Sequence, residues 1–301
     1  MQENSTVNKD DRHAPSNSID VIISQLPGLK DDLIQKNINL AEEKSICIFG
    51  YGSLSRKPHH KPTSKIPALL QGYKKDFNCQ SVSAGTPKFP GLTLGLSQDK
   101  NSYVSGTNLC YTGLSQSERS QMLHNFAQRE ALSSKIYKFK MIETLQYDGQ
   151  RVFSLTCVAN TDTDHFIGDA LSNDERLGLS EKAQMELSIL KKAAIIAQAQ
   201  GPRGTNKSYL DRFIAYDLTK DQNIETLHNH LTKKIDTGDV INALYESENY
   251  MKKLILAVNE FRDSMTKNKR QKLEQIEENQ WSNFVRQQKK SPLFLFSPHN
   301  L

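Results

Sequence analysis

Gly50-Tyr51-Gly52-Ser53-Leu54 ends an apolar, β-branched run that starts at Ser45. The run suits a buried strand, and the two glycines let the chain turn sharply and approach a ligand with no Cβ in the way. A strand that feeds such a turn leaves successive N–H groups unpaired, which makes a cradle for an anion. On these residues alone, a plain strand-to-loop turn fits as well. Glu130 falls four residues after Phe126 and eight after Met122. On a helix that spacing lays its carboxylate along the apolar stripe. Most helix glutamates are solvated surface groups, and one that continues a buried stripe needs a partner or a job. A third place is Gly201-Pro202-Arg203-Gly204-Thr205-Asn206, a tight turn that follows a strong helical pattern.

Other chemistry is missing from the pattern. The sequence has no Ser-His-Asp order, P-loop or Rossmann glycine pattern. His59 and His60 are adjacent, so on any regular element they point apart and make a poor metal pair. The chemistry this leaves is one acid/base carboxylate working with backbone donors, with no metal and no cofactor.

The elements that must position these residues read as follows. Ile19 to Leu40 carries a weak helical pattern broken at Pro27-Gly28. Ile46–Phe49 is a strand, and 66–80 is a strand or strand pair around Gly72-Tyr73. Residues 84–91 are rich in turn formers. Leu92–Leu96 and Tyr103–Tyr111 read as strands separated by a turn at Asp99-Lys100-Asn101. Ser115–Leu132 is a helix whose apolar face includes Met122, Leu123 and Phe126. Residues 136–146 and 152–159 form a hairpin through Asp148-Gly149. Ser180 caps a helix over 181–199, with Met185, Ile189, Ala193 and Ile196 on its apolar face. Beyond about residue 225 the chain is dense in Lys, Glu, Gln and Asn. Leu254, Val258, Phe261 and Met265 recur there at helical spacing, followed by Leu273, Ile276 and Phe284. This is a long helix or helix pair with one sticky face. It either packs on its own domain or, through residues 240–290, binds a protein partner. The basic cluster Lys267, Lys269, Arg270 and Lys272 is a solvated face or a site for phosphate or a membrane surface.

Composition bounds the class. The chain has 301 residues, 37% of them hydrophobic, and a formal charge of +5 with acids and bases interspersed. That balance and the lack of nucleic-acid motifs exclude nucleic acid as the expected partner. No run reaches the ~18 apolar residues of a membrane span. The four cysteines, Cys47, Cys79, Cys110 and Cys157, are far apart and sit mostly in apolar runs, so buried free thiols are preferred over disulfides. Free thiols and a polar N-terminus without an apolar signal core predict a cytoplasmic protein. The organisation expected is a polar, partly disordered segment over 1–40, one domain over 41–225, and a helical extension over 226–301.

Several motifs occur in the order of a known family. They are Gly50-Tyr51-Gly52-Ser53-Leu54, Gly72-Tyr73, Gly85-Thr86-Pro87 with Pro90-Gly91-Leu92, Arg129-Glu130 with Tyr137, and Gly201-Pro202-x-Gly204-x-Asn206-x-x-Tyr209-Leu210. The stretch from about 45 to 225 therefore resembles the ChaC-like γ-glutamylcyclotransferases. The resemblance implies an α+β fold, a mixed β-sheet curled into a partly closed barrel with surrounding helices, here with a helical C-terminal extension. It implies a lyase that cleaves glutathione, or a related γ-glutamyl compound, into 5-oxoproline and Cys-Gly. Glu130 maps to the catalytic glutamate. Gly50, Tyr51, Gly52, Ser53, Leu54, Ser55, Gly85, Thr86, Asn206 and Tyr209 map to substrate binding. The chain departs from the family at Ser55-Arg56, where an aromatic residue is usual, and at Ala84, where an arginine is common. Arg56 and Arg203 are the arginines able to compensate, and another γ-glutamyl substrate is the alternative. A competing reading is a catalytically weak or inactive protein of the same fold whose C-terminal helix engages a partner.

Overall fold

The computed structural model describes residues 19–58, 60–130, 135–219 and 238–289. Residues 1–18 of the segment expected to be polar and partly disordered, His59 and the end of the predicted helix at Leu132 lie outside them.

Five strands close into a barrel in the order β1-β3-β2-β4-β5. They are β1 (Ser45–Gly50), β2 (Ser64–Ser81), β3 (Gly91–Thr112), β4 (Tyr137–Gln146) and β5 (Arg151–Ala159). The sheet is mixed. β1 runs parallel to β5, with Cys47 opposite Ser154 and Ile48 opposite Leu155, and the other pairs are antiparallel. Strand alternation divides β1 between two cores. Ile46 and Ile48 face a cluster with Leu109, Phe126, Met141 and Leu155, whereas Phe49 faces Leu70, Leu96 and Val104. Both faces are buried, which is why β1 reads as a continuous apolar run.

The inside of the barrel also holds a closed polar knot. Asn108 Nδ2 donates to Thr144 Oγ1 (2.9 Å), Ser154 Oγ donates to Asn108 Oδ1 (3.0 Å), and the two hydroxyls are 3.1 Å apart. All three residues are buried, and mutual bonding offsets the cost of burying their polar atoms.

Two sequence expectations fail here. Asp99-Lys100-Asn101 does not break the chain into two strands. β3 runs through it, and the ladder slips instead. Gln71 pairs with Tyr103 and Tyr73 with Gln98, so residues 99–102 bulge opposite Gly72, whose φ is 82°. The turn residues are real signals, absorbed by a bulge in a long hairpin. The expectation of four free thiols fails for two of them. The register sets Cys47 directly opposite Cys110 on neighbouring strands, with Cα atoms 4.1 Å apart, and the pair is a disulfide. Their separation of 63 residues hides this in the sequence. Cys79 and Cys157 are free and buried.

Helices flank the barrel. α1 (Ile19–Ser24) and α2 (Leu29–Lys36) pack with α4 (Gln116–Arg129) in the first core cluster. α3 (Ser53–Arg56) is a single turn after β1, and α5 (Asn173–Arg176) is another. α6 (Glu181–Gln198) begins at Ser180, whose side chain accepts from Ala183 N. Its Ile189, Ala193 and Ile196 are buried as expected, but Met185 is exposed. A two-residue hairpin, β6 (Gln200–Gly201) and β7 (Gly204–Thr205), leads into α7 (Asn206–Thr219). The C-terminal stretch is a helix pair, α8 (Gly238–Asp263) and α9 (Lys267–Lys289). The sticky face of α8 packs on its own domain. Met251, Leu254, Ala257 and Val258 are buried against Phe77, Leu92, Leu94 and α6.

Candidate active site

β1 delivers its end to a cleft lined by Phe49, Gly50, Tyr51, Gly52, Ser53, Leu54, Leu94, Glu130, Tyr137, Cys157 and Tyr209. The cleft encloses about 370 Å³, counting its open mouth. The strand-to-loop junction is fixed from β5, where Thr156 Oγ1 donates to Phe49 O at 2.9 Å. The chain then folds straight back. A Cβ on Gly50 would stand 2.8 Å from Ser55 N, so only glycine lets α3 sit against the strand end. Ser55 N and Oγ both donate to Gly52 O, and Lys57 N donates to Ser53 O. Among the described residues, no acceptor takes the N–H groups of Gly52, Ser53 and Leu54. All three residues line the cleft.

Glu130 reaches the same cleft from the end of α4. α4 starts at Ser115 with a capping box to Glu118, and it stops at Arg129. Glu130 is the C-cap residue, its N–H donating to Phe126 O. The helical spacing therefore carries its carboxylate to the apolar side, as the sequence predicts, but at the helix end, where it faces the cleft. The side chain is 18% exposed. Arg129 Nε stands 2.9 Å from Oε1. That approach lies off the N–H direction, so Oε1 has a charge beside it but no aligned donor among the described residues. Burial pushes the Glu130 carboxyl up from 4.5, and the charges of Arg129 and Arg203 pull it part of the way back. Arg129 also donates from Nη2 to Ser53 Oγ (2.9 Å) and from Nη1 to Lys57 O. One guanidinium thus ties the carboxylate to the loop it faces.

Protonated donors complete the wall. Burial holds the phenols of Tyr51, Tyr137 and Tyr209 above their ordinary range, and the Cys157 thiol likewise, with Glu130 adding to each shift. Tyr137 OH donates to Leu94 O at 2.8 Å. A carboxylate biased toward accepting a proton therefore sits among groups that keep theirs.

The structure gathers Gly50 through Leu54, Glu130 and Tyr209 from the sequence-predicted set. It does not bring the others into the cleft. Ser55 is buried, with its hydroxyl bonded to Gly52 O. Asn206 is fully buried and brackets Leu92, Oδ1 accepting from its N–H (2.6 Å) and Nδ2 donating to its carbonyl (2.7 Å). Gly85 lies where a Cβ would meet Gly91 N at 2.2 Å, and Thr86 Oγ1 accepts from Phe89 N. Gly201 crosses at the same point, where a Cβ would meet Gly85 O at 2.4 Å. These late motifs hold the root of β3, which carries Leu94 into the cleft wall. Cys157 and Leu94 are cleft residues that sequence reasoning missed. Their only signal is strand parity, which needs the register to be read.

The end of β1, its glycine loop and one carboxylate thus share a single cleft on a closed mixed barrel. The chain belongs to the ChaC-like protein family, whose model matches residues 46–237. It is 25% identical over 203 residues to Gamma-glutamylcyclotransferase 2-1 of Arabidopsis thaliana, covering 66% of this chain and 88% of that protein. It is 27% identical over 191 residues to Gamma-glutamylcyclotransferase 2-3 of the same plant, covering 62% and 88%. A solved structure of a γ-glutamyl cyclotransferase specific to glutathione, from yeast, superposes with a TM-score of 0.47 at 19% identity, over 73% of this chain and 97% of that one.

Proposed function

We propose that this chain is a γ-glutamylcyclotransferase acting on glutathione or a close γ-glutamyl relative. The observation that carries this is Glu130, a carboxylate of raised proton affinity that lines one cleft with Gly52, Ser53 and Leu54 in a chain of this family.

The reaction needs no outside nucleophile. The substrate's own α-amine attacks its γ-carbonyl, the new C–N bond closes a five-membered lactam, and the γ-glutamyl–cysteine C–N bond breaks. The products are 5-oxoproline and Cys-Gly. The α-amine, with a pKa of about 8, must first lose a proton. Glu130 takes that proton and passes it to the departing cysteinyl amine. The loop N–H groups hold the α-carboxylate beside that amine, and the folded pose supplies the orientation an intramolecular attack requires. Tyr51, Tyr137 and Tyr209 stay protonated and exclude water.

No helix of the described residues is long and apolar enough to cross a membrane. A cytoplasmic site of action is part of the proposal. It rests on the free thiols Cys79 and Cys157, while the Cys47–Cys110 bridge weakens the argument from thiol usage.

Purified protein incubated with glutathione is expected to yield 5-oxoproline and Cys-Gly by mass spectrometry. Glu130→Gln is expected to lower kcat by about 10²–10⁴-fold with an unchanged circular dichroism spectrum. Wild-type turnover in that variant would remove Glu130 from the role.

A further inference from the structure

Arg129 and Glu130 are neighbours in sequence, and on a regular helix their side chains would diverge by about 100°. Here α4 ends at Arg129, and its Nε comes within 2.9 Å of Glu130 Oε1. The other two nitrogens of the guanidinium serve the loop. Nη2 donates to Ser53 Oγ at 2.9 Å and Nη1 to Lys57 O. Ser53 opens α3 and Lys57 is its C-cap, so one side chain holds both ends of that single turn.

The turn needs an anchor. Its four residues are far too few for a helix to hold itself, and Gly52 before it offers no side-chain cap. Ser55 N and Oγ bond back to Gly52 O, inside the loop. Arg56 Nη1 to Arg212 O and Lys65 Nζ to Ser55 O are both 3.4 Å, at the edge of hydrogen-bonding range. Arg129 bonds the turn more closely and joins it to Glu130 as well.

Its charge acts on the same carboxylate. Around Glu130 stand Arg203 from the β6–β7 turn, Tyr51 of the loop, Tyr137 of β4, Cys157 of β5 and Tyr209 of α7. Burial keeps the three phenols and the thiol protonated. The positive charge near Glu130 therefore comes from Arg129 and Arg203, and Arg129 has the larger effect.

We infer that Arg129 is the positioning residue of this site, one planar fork fixing the Glu130 carboxylate and the Gly52–Leu54 loop against each other. This rests on the proposed cyclotransferase reading. Arg129 acts through Glu130 and Ser53 rather than on the reacting atoms. Its fork and its charge have separable duties: the fork sets geometry, and the charge favours the ionised base. Lysine can supply the charge but not the fork, because an ammonium is a point charge without a planar set of donors.

The test separates the two duties. Wild type, Arg129→Ala, Arg129→Lys and Ser53→Ala are compared by kcat/KM for glutathione from about pH 5 to 9, with circular dichroism to follow the fold. Arg129→Ala is expected to lower the plateau about ten- to a hundredfold, as loop and carboxylate lose their common anchor. It is also expected to move the acid limb up by about one pH unit, as the base loses its cation. Arg129→Lys returns the limb toward its wild-type place and leaves the plateau low. Ser53→Ala lowers the plateau less than Arg129→Ala does and leaves the limb in place. A residue that only stabilises the fold would lower the plateau without moving the limb. An unmoved limb in Arg129→Ala, or a wild-type plateau in Arg129→Lys, therefore overturns the inference. If Arg129→Ala does not fold, the plateaus of Arg129→Lys and Ser53→Ala decide it. Carbon NMR titration of the Glu130 carboxyl, assigned by its loss in Glu130→Gln, reads the charge without turnover. Should wild type leave glutathione intact, the reaction falls. A Glu130 pKa that rises in Arg129→Ala but not in Arg129→Lys then still supports the tie, and one that is equal in all three proteins overturns it.

Discussion

At the scale of single residues, the site turns on how Glu130 is held between two opposing influences. Burial disfavours its charged form, and Arg129 and Arg203 favour it, with burial ahead. Two consequences follow with definite signs. The acid limb of kcat/KM is expected above 4.5, the ordinary glutamate value, because the base must be ionised to accept a proton. For stability, the folded state holds the Glu130 proton more tightly than the unfolded state. Its contribution is therefore fully present below the unfolded pKa and is lost as pH rises through the folded one. Glu130→Gln removes that dependence. Thermal unfolding of the two proteins is expected to diverge as pH goes from about 4 to 7, with wild type losing ground to the variant. Parallel curves across that range would mean that Glu130 is not held in a raised state.

The element that matters most is the β1–α3 junction, and its necessity is steric. The Gly50 Cβ position lies 2.8 Å from Ser55 N and 3.1 Å from Ser55 Cα, both backbone atoms that cannot rotate away. Gly50→Ala is expected to cost about 1–3 kcal/mol of stability as overpacking. Displacing the loop N–H groups by about 1 Å is expected to lower kcat/KM by about a hundredfold. A Gly50→Ala protein with wild-type kcat/KM would show that the loop's path is not what the reaction needs. This junction was legible in the sequence because its signals are local: an apolar run, two glycines and a serine within ten residues. Glu130 was legible through helix periodicity, although its place at the C-cap was not. What could not be read depends on pairing between distant strands. The Cys47–Cys110 bridge, the bulge at 99–102 and the cleft positions of Leu94 and Cys157 all follow from register, and no single segment encodes that. Asn206 shows the converse. Its motif was visible, but its role is to clamp Leu92 from 114 residues away, and only the fold reveals it.

On the scale of the whole molecule, the question is whether the C-terminal helices are an accessory or part of the enzyme's body. Their buried contacts argue for the second. Lys192 of α6, 1% exposed, is ion-paired to Asp76 of β2, and Tyr250 of α8 donates to the same carboxylate at 2.7 Å. Removing one partner from such a group leaves an uncompensated buried charge. Farther along, Arg262 of α8 donates to Ala197 O at 2.6 Å and pairs with Glu277 of α9, which also accepts from Thr205 Oγ1 at 2.9 Å. Thr205 precedes Asn206, so the helix pair is tied to the clamp that holds the root of β3. Leu254, at 0% exposure, shares its core with Phe77, Leu92 and Leu94, and Leu94 is a wall of the cleft. Leu254→Ala is therefore expected to destabilise the entire protein by about 2–5 kcal/mol in a single transition followed by both near-UV dichroism and loss of turnover. Leu256→Ala, on the 62%-exposed side of the same helix, is expected to change stability by less than about 0.5 kcal/mol. The result that would reverse this view is a separate early transition in Leu254→Ala that leaves turnover intact. The helix pair would then melt alone, and the barrel would not depend on it.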